Sequence, residues 1–199
     1  MFIKHVLGLL IRPVEEWQAI HKEKTSVFGA MIPSLLLGLI PVICGYIGTT
    51  QTGWQVGSRD PVRITPESAI MIAILYYLII QIAVFSVGWM IKWMGKTYGA
   101  DQSLPQCIRL AGYIPVPLFL VGFVQLDPTL WLNLVAGLPA AAYTIFLLYI
   151  GIPVVMEISK DRGFLFSSAV LMVGLVGLVG MLAVTVVLWG IGVAPVLTS

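Results

Sequence analysis

Few side chains in this 199-residue sequence could do acid–base or metal chemistry, and they form no catalytic pattern. The two histidines, His5 and His21, both lie near the N-terminus without the spacing of paired metal ligands. His21 with Glu15, Glu16 or Glu23 would make a weak surface metal site, and a solvated charged turn is the interpretation we favour. The complete Gly-x-x-x-x-Gly-Lys-Ser/Thr phosphate loop is absent. The sequence therefore predicts no enzyme, no cofactor and no metal.

Three polar side chains lie in the middle of long apolar stretches, where each is costly and is usually retained for a reason. Gln81 is the most polar, and Tyr143 and Thr144 occupy a similar depth in another stretch. We expect Gln81 to hydrogen-bond one of them, and the alternative is that Gln81 lines a polar pathway. Asp, Glu, Lys and Arg are absent from these middles, which argues against a proton relay or a charge-coupled pump.

The elements that carry these groups are five apolar stretches, at residues 26–48, 68–91, 107–125, 131–156 and 164–190. Each can cross a hydrocarbon core about 30 Å thick as a helix. The chain is 59% hydrophobic and only 10% charged, against about 25% charge in soluble domains. Lipid admits only helices and closed barrels, and these stretches do not alternate in polarity as barrel strands do. We predict an all-α, polytopic five-transmembrane-helix bundle over residues 26–199, with a separate segment at residues 1–25. The net charge of +2 gives no sign of a nucleic-acid partner.

Positive charge predicts the orientation of the bundle, because Lys and Arg concentrate on the cytoplasmic side. The opposite side has only Arg59 and Arg63. We therefore expect a cytoplasmic N-terminus and an external C-terminus. Nine basic residues share the predicted inner side: Lys4, Arg12, Lys22, Lys24, Lys92, Lys96, Arg109, Lys160 and Arg162.

The N-terminal segment has an apolar stripe and lacks a small-residue cleavage site, so it does not match a signal peptide. We predict an amphipathic interfacial helix, lying along the cytoplasmic membrane surface and packing under the bundle. A partner-binding helix is the alternative. Pro13 breaks this helix and suits the first turn of a new one, with Glu15 and Glu16 near its positive end.

Two further expectations concern single residues near the ends of spans. Cys44 and Cys107 should lie on opposite sides of the membrane, too far apart for a disulfide. Arg109 lies about half a turn inside the third stretch, where an unpaired charge is expensive. We predict that Arg109 contacts Glu157 or, failing that, Asp101 or Asp161. The alternative is an Arg109 that snorkels to lipid phosphate.

The apolar stretches contain many prolines, which break helices, and this feature is compatible with a second function. Broken helices build binding sites in transporters, although this chain shows no inverted repeat. A transporter or channel for a small solute or an ion is therefore the alternative to a compact, kinked bundle. The prolines concerned are Pro33, Pro41, Pro115, Pro117, Pro139 and Pro153.

Three motifs resemble those of one membrane-protein family. Residues 12–20 read Arg-Pro-Val-Glu-Glu-Trp-Gln-Ala-Ile, similar to the Pro-x-x-x-Trp-x-x-Ile signature that opens prokaryotic members of the YIP (Ypt/Rab-interacting protein) family. Residues 96–117 resemble the family's inner loop, a Gly-Gly turn before a helix ending in Tyr-x-x-x-Pro. Residues 143–156 resemble its Tyr-Leu-Leu-Tyr-x-Gly-x-Pro stretch. Ala100 replaces the second glycine of the turn, so Gly99 alone must supply the positive φ.

The resemblance is greatest to the bacterial inner-membrane branch of the family. It implies five spans and a cytoplasmic face built from the three motif regions. The Rab-type GTPase partner of eukaryotic relatives is not carried over, because they bind it through long N-terminal regions and the region before the first span here is residues 1–25. We expect a non-enzymatic, membrane-organising or partner-binding scaffold, whose partners are membrane lipids and either another membrane protein or a second copy. The candidate residues are Pro13, Trp17, Ile20, Gln81, Lys96, Gly99, Arg109, Tyr113, Pro117, Tyr149, Gly151, Pro153 and Glu157.

Overall fold

The computed structural model describes residues 2–54, 61–190 and 197–198, so Arg59 lies outside the described part. The chain opens with two short helices, α1 (Phe2–Ile11) and α2 (Pro13–Lys22), packed against each other as a hairpin. The break predicted at Pro13 is confirmed, because Pro13 begins α2 and Glu15 and Glu16 occupy its first turn. Proline fits there since the first N–H groups of a helix have no partner within the helix.

The first span is built from α3 (Val27–Leu37), α4 (Leu39–Ile47) and a π-helical turn (Gly48–Thr52). The Ser26 side chain accepts a hydrogen bond from the Gly29 N–H and so caps α3. A short strand, β1 (Arg63–Ile64), then pairs antiparallel with β2 (Leu197–Thr198). The C-terminal residues therefore lie beside the loop that precedes the second span.

The second span is α5 (Pro66–Gly95), which continues into a 3₁₀ turn over Lys96–Tyr98. The third span is broken by its prolines into α6 (Leu104–Tyr113), α7 (Val116–Val121) and a 3₁₀ helix over Gly122–Leu126. The fourth span is α8 (Leu130–Val155), and α9 (Lys160–Gly190) carries the fifth. All five predicted spans are thus present as helices, with ends shifted by a few residues.

The third span is the centre of the bundle. In its apolar stretch 61% of the residues are buried, against 6% in that of the second span. Glycines allow this close packing. A Cβ on Gly88 of α5 would lie 2.6 Å from the Ile108 Cα, and one on Gly122 would lie 2.8 Å from the Pro41 Cα. The first and second spans therefore approach the third at backbone distance, which small residues permit between membrane helices.

Candidate functional site

Residues from all three family-like motifs meet at the end of the bundle where α2, the start of α6 and the end of α8 come together. Trp17 and Ile20 of α2 are fully buried there. Gly151 of α8 lets the Trp17 ring lie directly on its backbone, because a Cβ at Gly151 would lie 2.8 Å from that ring. The hairpin is consequently part of the packed core and not an appendage.

A buried charged cluster, the His5 cluster (His5, Glu16, Glu23 and Arg109), ties the hairpin to the third span. His5 Nδ1 contacts a Glu16 carboxylate oxygen, and His5 Nε2 lies 3.0 Å from Glu23 Oε1. Arg109 Nη2 donates to the other Glu23 oxygen, and Arg109 Nη1 donates to the Glu23 carbonyl at 2.9 Å. Only 6% of the His5 side chain and 11% of the Arg109 side chain are exposed.

The charges in the His5 cluster balance one another. Two carboxylates face the two ring nitrogens of His5, and both contacts can be N–H donations only when the ring carries both protons. Burial by itself raises the pKa of Glu23, but hydrogen bonds from His5 and Arg109 outweigh it and leave that pKa below its usual value. The Tyr113 ring meets the His5 ring edge-on, with centroids 5.9 Å apart. Each acidic side chain of the cluster is thus matched by a basic one, Glu16 by His5 and Glu23 by Arg109.

The predicted contact of Arg109 with Glu157, Asp101 or Asp161 is wrong in its partner, which is Glu23. Two of the three predicted carboxylates have other partners. Glu157 accepts hydrogen bonds from His21 at 2.9 Å and from Gln102 at 3.2 Å. Asp101 accepts from Lys92 at 2.7 Å, and this hydrogen bond lowers the Asp101 pKa. The pairing itself was expected, because an Arg at this depth needs a carboxylate.

Glu157, two residues after the end of α8, has an unusual backbone conformation with a φ of +53°. This left-handed position follows many helix ends and is normally filled by glycine. A non-glycine residue there costs about 1 kcal/mol, and such strain often marks a functional position. Two side-chain partners hold Glu157, and its hydrogen bond with His21 ties the loop before α9 to the hairpin.

We expected the N-terminal segment to pack under the ends of the spans. The hairpin instead extends further, along the side of α8. The Tyr143 hydroxyl donates to the Leu9 carbonyl at 3.0 Å and lies 3.2 Å from the Leu10 carbonyl. Tyr143 is in the middle of α8, whereas His21 of α2 contacts Glu157 just beyond its end. The hairpin thus lies lengthwise along half of α8, with its tip at mid-helix.

Gln81 hydrogen-bonds a neighbouring span, but the predicted partners Tyr143 and Thr144 are wrong. Gln81 Oε1 accepts from the Ser34 hydroxyl at 2.9 Å, and Gln81 Nε2 donates to the Ser34 carbonyl at 3.1 Å. The cause is packing, because α5 contacts α3 of the first span. The Thr144 hydroxyl is buried with no hydrogen-bond partner among the described residues.

The remaining motif residues have separate places. Gly99 has a φ of +81° and alone makes the turn, as predicted, since Ala100 has no positive φ. Lys96 is exposed in the 3₁₀ turn, and Pro117 is buried in α7 away from the cluster. Tyr149 hydrogen-bonds Ser168 of α9 at 2.8 Å. Pro153 packs against Gly163, where a Cβ would lie 2.6 Å away, so it joins α8 to α9.

The candidate residue list omitted His5, Glu16 and Glu23, although a signal existed. Glu16 lies four residues before the buried Ile20, on the same face of α2, and Glu23 follows the helix directly as its C-cap. Carboxylates on a buried face predict a cationic partner.

Both cysteines, Cys44 and Cys107, are free and buried. Within the described residues no group of three or more His, Cys, Asp or Glu side chains could hold a metal ion.

These features define a class of protein: a multi-pass helical membrane protein with a docked N-terminal hairpin. The chain belongs to the Yip1-domain family, whose sequence profile matches residues 7–181. It is 40% identical over 191 residues to the inner membrane protein YohC of Escherichia coli K12, over 96% of this chain and 98% of that protein. The same figures hold for YohC of Escherichia coli O6:H1. No solved structure matches the chain. The resemblance found in the three motifs is confirmed, and the chain is an integral inner-membrane protein.

Proposed function

We propose that this protein is a non-enzymatic, membrane-organising scaffold, with its N-terminal hairpin in the cytoplasmic leaflet. The observation that carries the proposal is the position of the hairpin, which lies along only one half of α8, from Glu157 to Tyr143. The bundle is therefore wider in one leaflet than in the other. A wedge of this kind favours a curved membrane, as inserted amphipathic helices do.

The outer face of the hairpin supports insertion into lipid. Its exposed apolar side chains include Ile3, Leu7 and Ile11, which are 70%, 53% and 74% exposed. Such a face is unfavourable in water, at about 25 cal/mol for each Å² of apolar surface. The His5 cluster lies on the inner side of the same hairpin and fixes it to the bundle, so the apolar face is presented rigidly.

Vesicle reconstitution tests the wedge. Protein labelled with a fluorophore is reconstituted into vesicles of mixed diameter, and its density is measured vesicle by vesicle. We expect enrichment in the smallest vesicles. The triple variant Ile3→Gln, Leu7→Gln and Ile11→Gln should lose it, while the control Ile3→Leu, Leu7→Ile and Ile11→Leu should keep it. Equal density of the parent protein across all diameters would refute the wedge.

The alternative function, transport of a small solute or ion, has one supporting observation. A cleft of about 180 Å³ lies between α4, α5 and the 3₁₀ helix after α7, beside the π-helical turn. Its polar lining residues are Tyr46, Thr49, Tyr76 and Gln125. Breaks from α-helical geometry often mark functional sites. A specific solute or ion flux in liposomes that Gln125→Leu abolishes, with the variant still folded, would favour the transporter over the scaffold.

A further inference from the structure

An apolar groove runs between the hairpin and the last two spans, apart from the His5 cluster. Its volume is about 560 Å³, within the range of about 300–1,000 Å³ typical of ligand pockets. The wall comes from three elements. It includes Val14 of α2, Ile150, Pro153 and Val154 of α8, and Phe164 of α9.

One end of the groove carries a positive charge. Lys160, the first residue of α9, is exposed and lines the groove. No carboxylate within residues 2–54, 61–190 and 197–198 lies within ion-pair distance of it, in contrast to Lys92, which pairs with Asp101. The Tyr149 hydroxyl, a second polar group on the wall, is already bonded to Ser168. The groove thus has one available charge at its mouth and apolar walls behind it.

We propose that this groove binds an anionic phospholipid, with the phosphate at Lys160 and an acyl chain along Pro153, Ile150 and Val14. The groove matches a lipid in its order of charged and apolar parts. Lys160 lies at the charged end of the bundle, where a headgroup would be, and Ile150 lies further along the span, where an acyl chain would be. Basic pockets between membrane helices bind anionic headgroups in this way. A lipid phosphate supplies a partner for the lysine at the depth of the headgroups, and its acyl chain supplies the apolar partner for the walls.

The site is complete only when the hairpin is docked, because Val14 belongs to α2. A lipid that binds the docked form and not the released form stabilises docking by mass action. The lipid would therefore add to the contacts that join the hairpin to the bundle, such as the His5 cluster and the His21–Glu157 pair. This inference does not depend on the wedge, since a flat membrane supplies the same lipid.

Native mass spectrometry of the detergent-purified protein tests the proposal. The probes are phosphatidylglycerol and phosphatidylcholine with identical acyl chains. We expect the parent protein to retain phosphatidylglycerol preferentially. Lys160→Gln should weaken that retention about five-fold, as one lysine near a headgroup does, and leave phosphatidylcholine unchanged. Lys24→Gln, an exposed lysine outside the groove, is the matched control. Equal retention by Lys160→Gln and the parent would overturn the proposal.

The acyl-chain contact is tested separately. Val14→Trp fills the groove from an exposed position and should reduce phosphatidylglycerol retention while thermal unfolding stays near that of the parent. If Val14→Trp fails to fold, Phe164→Ala removes wall surface instead and should also weaken retention. Inorganic phosphate should compete poorly with the lipid. Phosphate binding as strong as that of phosphatidylglycerol, or retention unaffected by both wall variants, would refute a lipid site.

Discussion

Arg109 of the third span forms an ion pair with Glu23, the residue that follows the N-terminal hairpin. The same guanidinium also donates to the Glu23 backbone carbonyl, so Arg109 binds both the carboxylate and the main chain of Glu23. The pair links positions 86 residues apart. It fixes the end of α2 to the most buried span of the bundle.

Replacing Glu23 by Gln should destabilise the docked hairpin by about 1–3 kcal/mol, because a charge-assisted hydrogen bond is lost and Arg109 stays buried. Proteolysis of the N-terminal segment in detergent measures the release. Glu15→Gln is the control, since Glu15 is 73% exposed and its ion pair is with Arg12 of the same hairpin. Equal protection of both variants would show that the ion pair does not hold the hairpin.

The stability of the docked hairpin should depend on pH through Glu23. Its pKa in the folded protein is lowered, so its contribution is present above the ordinary value of 4.5 and is lost as pH falls through the lowered pKa. We expect constant protection from pH 7 down to about 5 and a decline below it. In Glu23→Gln the decline should be smaller. An identical acid profile in that variant would assign the effect to other carboxylates.

Substituting Gly151 by Ala should displace the Trp17 ring, since the added Cβ would lie 2.8 Å from it. Overpacking of this kind typically costs about 1–3 kcal/mol. Two measurements report the effect: the change in tryptophan fluorescence, to which Trp17 contributes, and the unfolding temperature. Gly137→Ala on the same helix is the matched control, because nothing lies within 4 Å of its Cβ position. A Gly151→Ala protein as stable as the control would contradict close packing of α2 on α8.

Gln81→Leu should lower the stability by at most about 1–2 kcal/mol, because hydrogen bonds between membrane helices are weak. A double-mutant cycle with Ser34→Ala isolates the pair, and the coupling energy should be about 0.6 kcal/mol. Additive effects of the two substitutions would mean that the hydrogen bond from the Ser34 hydroxyl to Gln81 contributes nothing. The folded variant should also leave liposome flux at the parent's background.

A single cysteine tests the orientation, in a protein with Cys44 and Cys107 replaced. The exposed residue Lys4 is the suitable position, because His5 beside it is buried. Lys4→Cys should react with a membrane-impermeant thiol reagent only after the inner side is opened. Trp131→Cys, at the predicted outer end of α8 and also exposed, should react in intact cells. The reverse pattern would place the hairpin in the outer leaflet.

The sequence by itself determined the number of spans and their helical type. Length and apolarity define the five spans, since the cost of unpaired backbone groups in lipid leaves few alternatives. Local chemistry determined the start of α2 at Pro13 and the turn at Gly99, because missing N–H groups and positive φ act within a few residues. The three motifs were sufficient to identify the family.

Only the tertiary structure decided which groups meet. Arg109 could pair with any of several carboxylates, and Gln81 could face any neighbouring span. Helix periodicity fixes which residues share a face within one helix, but not which helix that face meets. That choice depends on close approach at Gly88, Gly122 and Gly151. These contacts bring α6 to the centre of the bundle and α2 along α8, and they carry Glu23 to Arg109.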